Sequence, residues 1–346
     1  AYSNLSGRLQ WGAQAFSQTQ FFFTPGYSLY SSFDFLTRDQ AVATQTMRGA
    51  TVFGVYPFSR FRRLELSAGF YHSSENWDDP SVQTANETFL SNEFGVELFR
   101  DGLFAPITAT YVQETTIFRE FGPLAGNTVR ISFTESPKLG NTLSQRSVDA
   151  DARYYFRLGD TGLLAFRARG FKSWGDYPDF TFFGGNSEMR GYEYLEFIGH
   201  KAFFANVELR FPLVTAMATP IGILGGIRGA FFFNIGAAGI NNQPFTPYTS
   251  EPEAFSPVMQ VITDPNTGVL TPIRANPITL SGFRLKDARA SYGFGLSTMA
   301  LGFPIHFDWS WRTLFNETWE NMLFGGFTGG EAFRRAKFDV WIGYDF

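Results

Sequence analysis

Residues 304–312 read Pro-Ile-His-Phe-Asp-Trp-Ser-Trp-Arg. Taken alternately, they separate into an apolar row, Ile305, Phe307, Trp309 and Trp311, and a polar row, His306, Asp308, Ser310 and Arg312. Successive side chains of an extended chain point to opposite faces, so this segment is predicted to be a β-strand with one greasy face and one hydrated face. The pattern recurs. Residues 9–16 set Leu9, Trp11, Ala13 and Ala15 against Gln10, Gly12, Gln14 and Phe16, and residues 148–158 set Val148, Ala150, Ala152, Tyr154, Phe156 and Leu158 against Asp149, Asp151, Arg153, Tyr155 and Arg157. Residues 129–134, 205–211, 227–236 and 288–297 alternate in the same way.

The occupants of the two faces decide the fold class. Strands of a soluble sandwich run to about five or six residues, with an aliphatic inner face and a polar outer one. Here the alternating stretches run nearer ten, one face is heavily aromatic, and the other carries Arg, Asp, Gln, Ser and Gly. Strands of about 9–11 residues, apolar toward lipid and polar toward a lumen, describe an antiparallel transmembrane β-barrel. Closure follows from the solvent, because lipid cannot satisfy the open edge of a sheet.

Composition agrees with that class and removes others. Of 346 residues, 42 are Phe, 14 Tyr and 7 Trp, and this 18% aromatic share sits beside only 17% charged residues. A disordered chain would be poor in aromatics and rich in charge. With no Cys, a disulfide framework, a thiolate metal site and a Cys nucleophile are excluded, and a net charge of −4 supplies no basic footprint for nucleic acid. A membrane-crossing helix needs about 20 largely apolar residues. The nearest approach, 213–227, contains Pro220 and is cut by Arg228. The chain begins at Ala1 with neither Met nor a leader, and is expected to be a mature protein or the C-terminal part of a longer one.

About fourteen candidate strands can be marked: 6–16, 20–33, 45–57, 61–74, 87–99, 104–117, 126–136, 146–158, 162–174, 201–212, 221–238, 287–301, 304–314 and 336–346. Their connections are short turns, such as Gly159-Asp160-Thr161, and long excursions at 175–200, 239–285 and 315–335, the asymmetry expected of short periplasmic turns and long external loops. Seven prolines between 244 and 277 mark 239–285 as a loop by composition. Between 75 and 125 the long and short connections fall out of order, so one strand there is misassigned, and Pro25-Gly26 weakens 20–33. In the last nine residues Phe338, Val340, Ile342, Tyr344 and Phe346 share one face, against Asp339, Trp341, Gly343 and Asp345. This resembles the C-terminal signal by which bacterial outer-membrane barrels are handed to their insertion machinery.

Residues 183–213 read FGGNSEMRGYEYLEFIGHKAFFANVELRFPL. Gly184-Gly185, then Met189-Arg190-Gly191-Tyr192, then a strand ending Glu208-Leu209-Arg210-Phe211-Pro212-Leu213 resemble the lid-loop signature of the outer-membrane-protein-85 superfamily, the BamA/TamA group also called bacterial surface antigens. Residues 229–236, Gly-Ala-Phe-Phe-Phe-Asn-Ile-Gly, resemble that family's aromatic-aromatic-Asp-x-Gly strand, with Asn234 where Asp is usual. Five strands from the motif to the terminus also match. The resemblance implies a barrel of sixteen strands, of which the first two would be either absent from this sequence or not marked among the fourteen. It implies a seam between first and last strands that admits clients, and insertion or translocation of proteins at the bacterial outer membrane with no bound cofactor or metal. The partners implied are outer-membrane lipid, unfolded outer-membrane or secreted clients, and an upstream periplasmic domain or envelope-complex subunits, but not nucleic acid.

A lid folded into the lumen would bring Arg190 against Glu208 and the Asn234 amide oxygen, a charge-assisted contact, with Asn206 and Arg210 on the same face and Gly191 and Gly236 allowing close approach. Asn234 removes one negative partner, so the anchor is expected to be weaker than with Asp.

Two other classes compete. A barrel enzyme needs a His with a Ser or carboxylate partner. His306 lies beside Asp308 on the polar face, which reads as lumenal filling, and neither His72 nor His200 has a nucleophile motif nearby; the expectation is no enzyme. Asp149, Asp151, Arg153 and Arg157, with Arg167 and Arg169, read as a lumenal charge ladder. The other competitor is a passive pore, a membrane anchor or exporter for an upstream domain, or a structural subunit of an envelope complex. Residues 56–61, Tyr-Pro-Phe-Ser-Arg-Phe, resemble relatives that follow periplasmic propellers or hydrolases, which would make the barrel an anchor or exporter of its attached domain.

Overall fold

The computed structural model describes residues 1–23, 42–81, 83, 84, 88, 91, 101–119, 122–159, 161–219, 222–256, 258–263, 270–274, 276–300, 303–324, 329–344 and 346. Thirteen strands follow one another in chain order as a single antiparallel meander. They are β1 (Tyr2–Asn4), β2 (Gln10–Phe23), β3 (Val42–Ser59), β4 (Arg62–Trp77), β5 (Ile107–Glu114), β6 (Gly122–Ser136), β7 (Gln145–Leu158), β8 (Gly162–Trp174), β9 (Lys201–Thr219), β10 (Gly222–Gly239), β11 (Arg289–Ala300), β12 (Phe303–Thr313) and β13 (Lys337–Ile342). Two short strands, Gly102–Phe104 and Ile117–Arg119, pair at the margins. The tight turns after β3, β7, β9 and β11 gather at one end and the long connections at the other, because every strand is antiparallel to the next. Among the described residues no helix is long and apolar enough to cross a membrane.

Register sorts the residues as the alternation does. Asn206 pairs with Asn234 and Asn234 with Ser291, all buried on the inside, while their neighbours Val207, Phe233 and Tyr292 form the outer row. Outside, Phe294 stacks on Trp309 at 5.0 Å and Trp309 meets Phe338 at 4.8 Å, cross-strand aromatic contacts of the kind that stabilise sheets. β9 and β10, with 19 and 18 residues, exceed the about 9–11 that a bilayer needs, so the wall extends past the hydrocarbon.

The sheet is rolled. Glu208 on β9 and Asp308 on β12 are three strand spacings apart, about 14 Å along a flat sheet, yet both carboxylates touch one guanidinium at 2.6 and 3.0 Å. Phe346, beyond the last strand, packs against Tyr155 of β7 and Leu163 and Ala165 of β8. This is an antiparallel β-barrel wall wrapped around a filled interior.

Several expectations change. The stretches marked 6–16 and 20–33 meet in one strand, β2, and the rest of 20–33 lies outside the described residues. The strand expected at 87–99 also falls largely outside them, and its described members, Thr88 and Ser91, are helical. The span 104–117 is divided by Ala105-Pro106 and by Thr115-Thr116.

The connection read as a loop at 239–285 is mostly one long hairpin. Tyr248 pairs with Leu285, Glu253 with Leu280, Gln260 with Ile273 and Thr263 with Leu270, with a register irregularity between Val258 and Gln260. Pro252 and Pro277 lie between its ladders, and Pro272 pairs with Val261 inside one. A two-stranded ribbon has free positions on both edges, so prolines that would break a central strand are tolerated. The hairpin base packs with helices α1 (Glu317–Leu323) and α2 (Gly329–Arg334) through Leu280, Leu285, Leu314, Trp319 and Phe333. The Glu253 carboxylate is held below the ordinary carboxylate range by Lys286 and Arg284.

The last expected strand, 336–346, ends at Ile342. Gly343 donates its N–H to the Pro304 carbonyl at 3.1 Å, and its own carbonyl accepts from His306 Nε2 at 2.9 Å. Phe338, Val340, Ile342 and Tyr344 face outward, but Phe346 is turned inside and buried. The parity that placed it in the outer row fails because the chain leaves the ladder four residues earlier.

Candidate functional site

The connection between β8 and β9 enters the barrel as a hairpin. Thr181–Phe183 pairs with Phe197–Gly199, and the segment between them is tightly wound. Gly184 N–H donates to Glu188 Oε2 at 3.1 Å, and the Gly185 carbonyl accepts from the amides of Glu188 at 3.0 Å and Met189 at 3.1 Å. Phe183, Met189, Tyr192 and Phe197 form an apolar core with Ala202 and Phe204 of the wall. This core turns the polar flank of the loop toward β9 and β12. Gly191 has φ 86°, and a Cβ there would stand 2.8 Å from Ser310 Oγ on β12. At Gly236 on β10 a Cβ would meet the Phe183 ring at 2.9 Å and Met189 Sδ at 3.1 Å. Both contacts bring loop and wall closer than any side chain would permit.

Arg190 projects from this loop into a closed set of charges. Its Nη1 lies 2.6 Å from Glu208 Oε1 and its Nε 3.0 Å from Asp308 Oδ2. Glu208 Oε2 in turn accepts from Nε and Nη2 of Arg210, each at 2.8 Å. Two guanidiniums and two carboxylates thus alternate with no net charge, and none of the four side chains is more than 4% exposed. Trp341 on β13 donates its indole N–H to Asp308 Oδ2 at 2.7 Å, and the Arg190 guanidinium sits 4.4 Å above the Phe232 ring. Close pairing of opposite charges is what makes such burial tolerable. A small recess lined by Arg210, Arg228, Ser297 and His306 adjoins the cluster.

Asn234, expected beside Arg190, is placed elsewhere. It accepts from Asn206 Nδ2 at 2.7 Å and donates to Ser291 Oγ at 3.1 Å, a neutral rung of the wall. Asn206 also reaches the Glu188 carbonyl of the loop, at 2.5 Å. The second carboxylate at Arg190 is Asp308, so the absence of Asp at 234 leaves the guanidinium with two negative partners. Parity had placed Asp308 on the inner face. The signal that would have singled it out is the ladder count, since Arg210, Ala230, Gly295 and Asp308 lie on one rung.

Other members tie the loop to the wall more widely. Tyr192 donates its hydroxyl to the Ala290 carbonyl on β11 at 3.0 Å. Burial pushes its phenol above the ordinary tyrosine range, so it remains a donor at working pH. Glu193 meets Lys337 of β13 at 2.8 Å, and Arg210 Nη2 reaches the Phe346 carbonyl at 3.3 Å while its guanidinium lies 4.9 Å from that ring.

The three histidines have structural surroundings. His306 stacks flat on Trp341 at 3.8 Å, and since a carbonyl can only accept, its Nε2 carries the proton given to Gly343. His200 is buried at the end of the loop, 4.0 Å from the Phe180 ring, with Nδ1 accepting from the Asn241 amide at 3.3 Å. His72 lies exposed on β4. On the adjoining strands β7 and β8, Asp151 pairs with Arg153 and Arg167, each at 2.9 Å, and Asp149 with Arg169 at 2.7 Å.

Comparison with known proteins supplies the family. A family profile described as the Omp85 superfamily domain matches residues 4–333. Among solved structures the chain is similar to BamA from Haemophilus ducreyi lacking POTRA domains 1–3, with a TM-score of 0.56 and 13% identity over 88% of this chain and 55% of that one. It also matches CdiB from Escherichia coli with a TM-score of 0.43 and 11% identity, over 88% of this chain and 45% of that one. The chain therefore spans about half the length of these structures. A search of curated proteins returns no match. A profile spanning nearly the whole chain, over a rolled antiparallel wall with a BamA-like fold, is decisive: the chain belongs to the Omp85 superfamily of outer-membrane β-barrels.

Proposed function

We propose that this barrel assists the insertion or translocation of proteins at the bacterial outer membrane, with the loop at 175–200 acting as an internal lid. The observation that carries the reading is the sharing of Asp308. One carboxylate oxygen, Oδ2, is ion-paired with Arg190 of the loop and accepts the indole N–H of Trp341 of the final strand. Withdrawing the loop would strip Asp308 of its cation and weaken the hold on β13, which ends the described ladder. The motif residues take distinct parts in this scheme. Gly184, Gly185 and Met189 shape and bury the loop tip, Arg190 supplies its charge, and Gly191 and Tyr192 dock it. Glu208 and Asp308 receive the charge, Gly236 makes room, and Asn234 braces the neighbouring rung. Phe338, Val340, Ile342, Tyr344 and Phe346 form the segment by which the barrel itself would be recognised for insertion.

The direct test is folding of an unfolded client barrel into vesicles, with and without this protein reconstituted. Faster client folding is the expected result, and a rate equal to that of empty liposomes would sink the insertase reading. Conductance separates the plugged barrel from a passive pore. A stable, large, ungated conductance in the unaltered protein would contradict a lumen closed by the lid.

A further inference from the structure

The outer row does not stop where the strands emerge at the long-loop end. Its upper members Ala237 and Ala290 are fully covered by the cap formed from the hairpin base and α1. The cap therefore lies against the outside of the wall as well as above it, and it presents aromatics of its own. Phe233, the register partner of outward-facing Tyr292, lies 6.3 Å from the Phe315 ring; Phe315 lies 5.9 Å from Phe283, and Phe283 5.8 Å from Tyr248. Phe315, Phe283 and Tyr248 are 46%, 47% and 62% exposed. The apolar surface of the wall thus continues as a ridge across the cap.

The backbone adds an independent sign. Phe315 has φ 60°, a left-handed conformation that a bulky side chain adopts only at a cost. The turn is held by Phe315 N–H to Thr313 Oγ1 at 2.9 Å, Leu314 N–H to Glu320 Oε1 at 2.6 Å and Asn316 Nδ2 to the Ser281 carbonyl at 3.1 Å. Strain of this kind persists only where surrounding contacts over-determine the conformation, as these three bonds do. Here it aims an aromatic ring outward, where water would give it no reward.

We propose that Phe315, Phe283 and Tyr248 lie in the outer leaflet of the membrane, so that the cap is seated in lipid beside the barrel. Long connections of outer-membrane barrels face outward, and aromatic residues concentrate at the boundary between acyl chains and headgroups. Continuity with the outer row, through Phe233, selects lipid as the occupant. Tyr248, the most exposed and the only one with a hydroxyl, marks the headgroup end of the ridge.

The absence of native Cys makes the test clean. Single variants F283C, F315C and Y248C are nitroxide-labelled and reconstituted in phosphatidylethanolamine and phosphatidylglycerol vesicles, and relaxation by oxygen is compared with relaxation by a water-soluble nickel chelate. F294C on the outer row and Y194C on the loop serve as lipid and water references. Migration of unheated samples as the folded species confirms each fold, and two ridge positions guard against the failure of one. The oxygen-to-nickel ratio at 283 and 315 is expected to match that at 294, with 248 shifted toward 194. A ratio at 283 and 315 equal to that at 194 would overturn the proposal. So would protection from both reagents, which would mean cover by protein.

Discussion

Two parts of the lumen use the same chemistry in different surroundings. On the lid side, Arg190, Glu208, Asp308 and Arg210 are buried to 4% exposure or less. On the wall of β6 to β8, Asp149 and Arg169 are 34% and 25% exposed, and Glu135 and Arg146 are 29% and 52% exposed. The distances overlap, 2.6–3.0 Å against 2.7 Å. Geometry alone thus does not distinguish a plug from a decorated wall. Water does: a wet pair loses little when broken, whereas a dry pair leaves a charge with nowhere to go.

Mutations can break that contrast. Arg190→Ala leaves Glu208 and Asp308 without their shared cation and is expected to cost about 3–5 kcal/mol, seen as a lower unfolding temperature and an increased, noisier conductance. Unchanged unfolding and conductance would show that the lid is not fixed by its charge. Asp308→Asn keeps the shape and Arg190 retains Glu208, so the loss should be smaller, about 1.5–3 kcal/mol for charge-assisted bonds. It should also raise the susceptibility of β13 to proteolysis. Tyr192→Phe removes one neutral bond, to the Ala290 carbonyl, for about 1 kcal/mol in the same melting experiment. Arg169→Ala, on the wet wall, should change unfolding by about 0–1 kcal/mol. A loss there as large as that of Arg190→Ala would erase the distinction between the two regions.

The wall was legible because a period of two survives any curvature. Phe307, Trp309 and Trp311 can be assigned outward without knowing how the sheet rolls. The lid partners depend on that roll. Asn234 and Asp308 are both lumenal by parity, and which of them meets Arg190 depends on how deeply the loop descends and how sharply β9 to β12 curve, neither of which is a local property. Parity places Phe346 outward only if it is carried across Gly343, where pairing has stopped. The 239–285 segment was misread for another reason. Proline argues against a strand only where both edges are bonded, and this ribbon has partners on one side of each arm.

The hairpin has a consequence for how such a chain can vary. Its base rungs keep one register from Tyr248↔Leu285 to Phe255↔Ile278, and the irregularity lies beyond them, between Val258 and Gln260, so shortening the outer part leaves the base rungs in place. Excision of 258–274 with a short turn restored should leave Leu280, Leu285 and Trp319 packed, the folded species intact on an unheated gel and the thermal transition little moved. Deletion from one arm alone would shift the opposing rungs and is expected to loosen the cap. The hairpin's length is then a parameter open to lineage-specific change, and its outer part a place where a tag or epitope could be carried without disturbing the barrel.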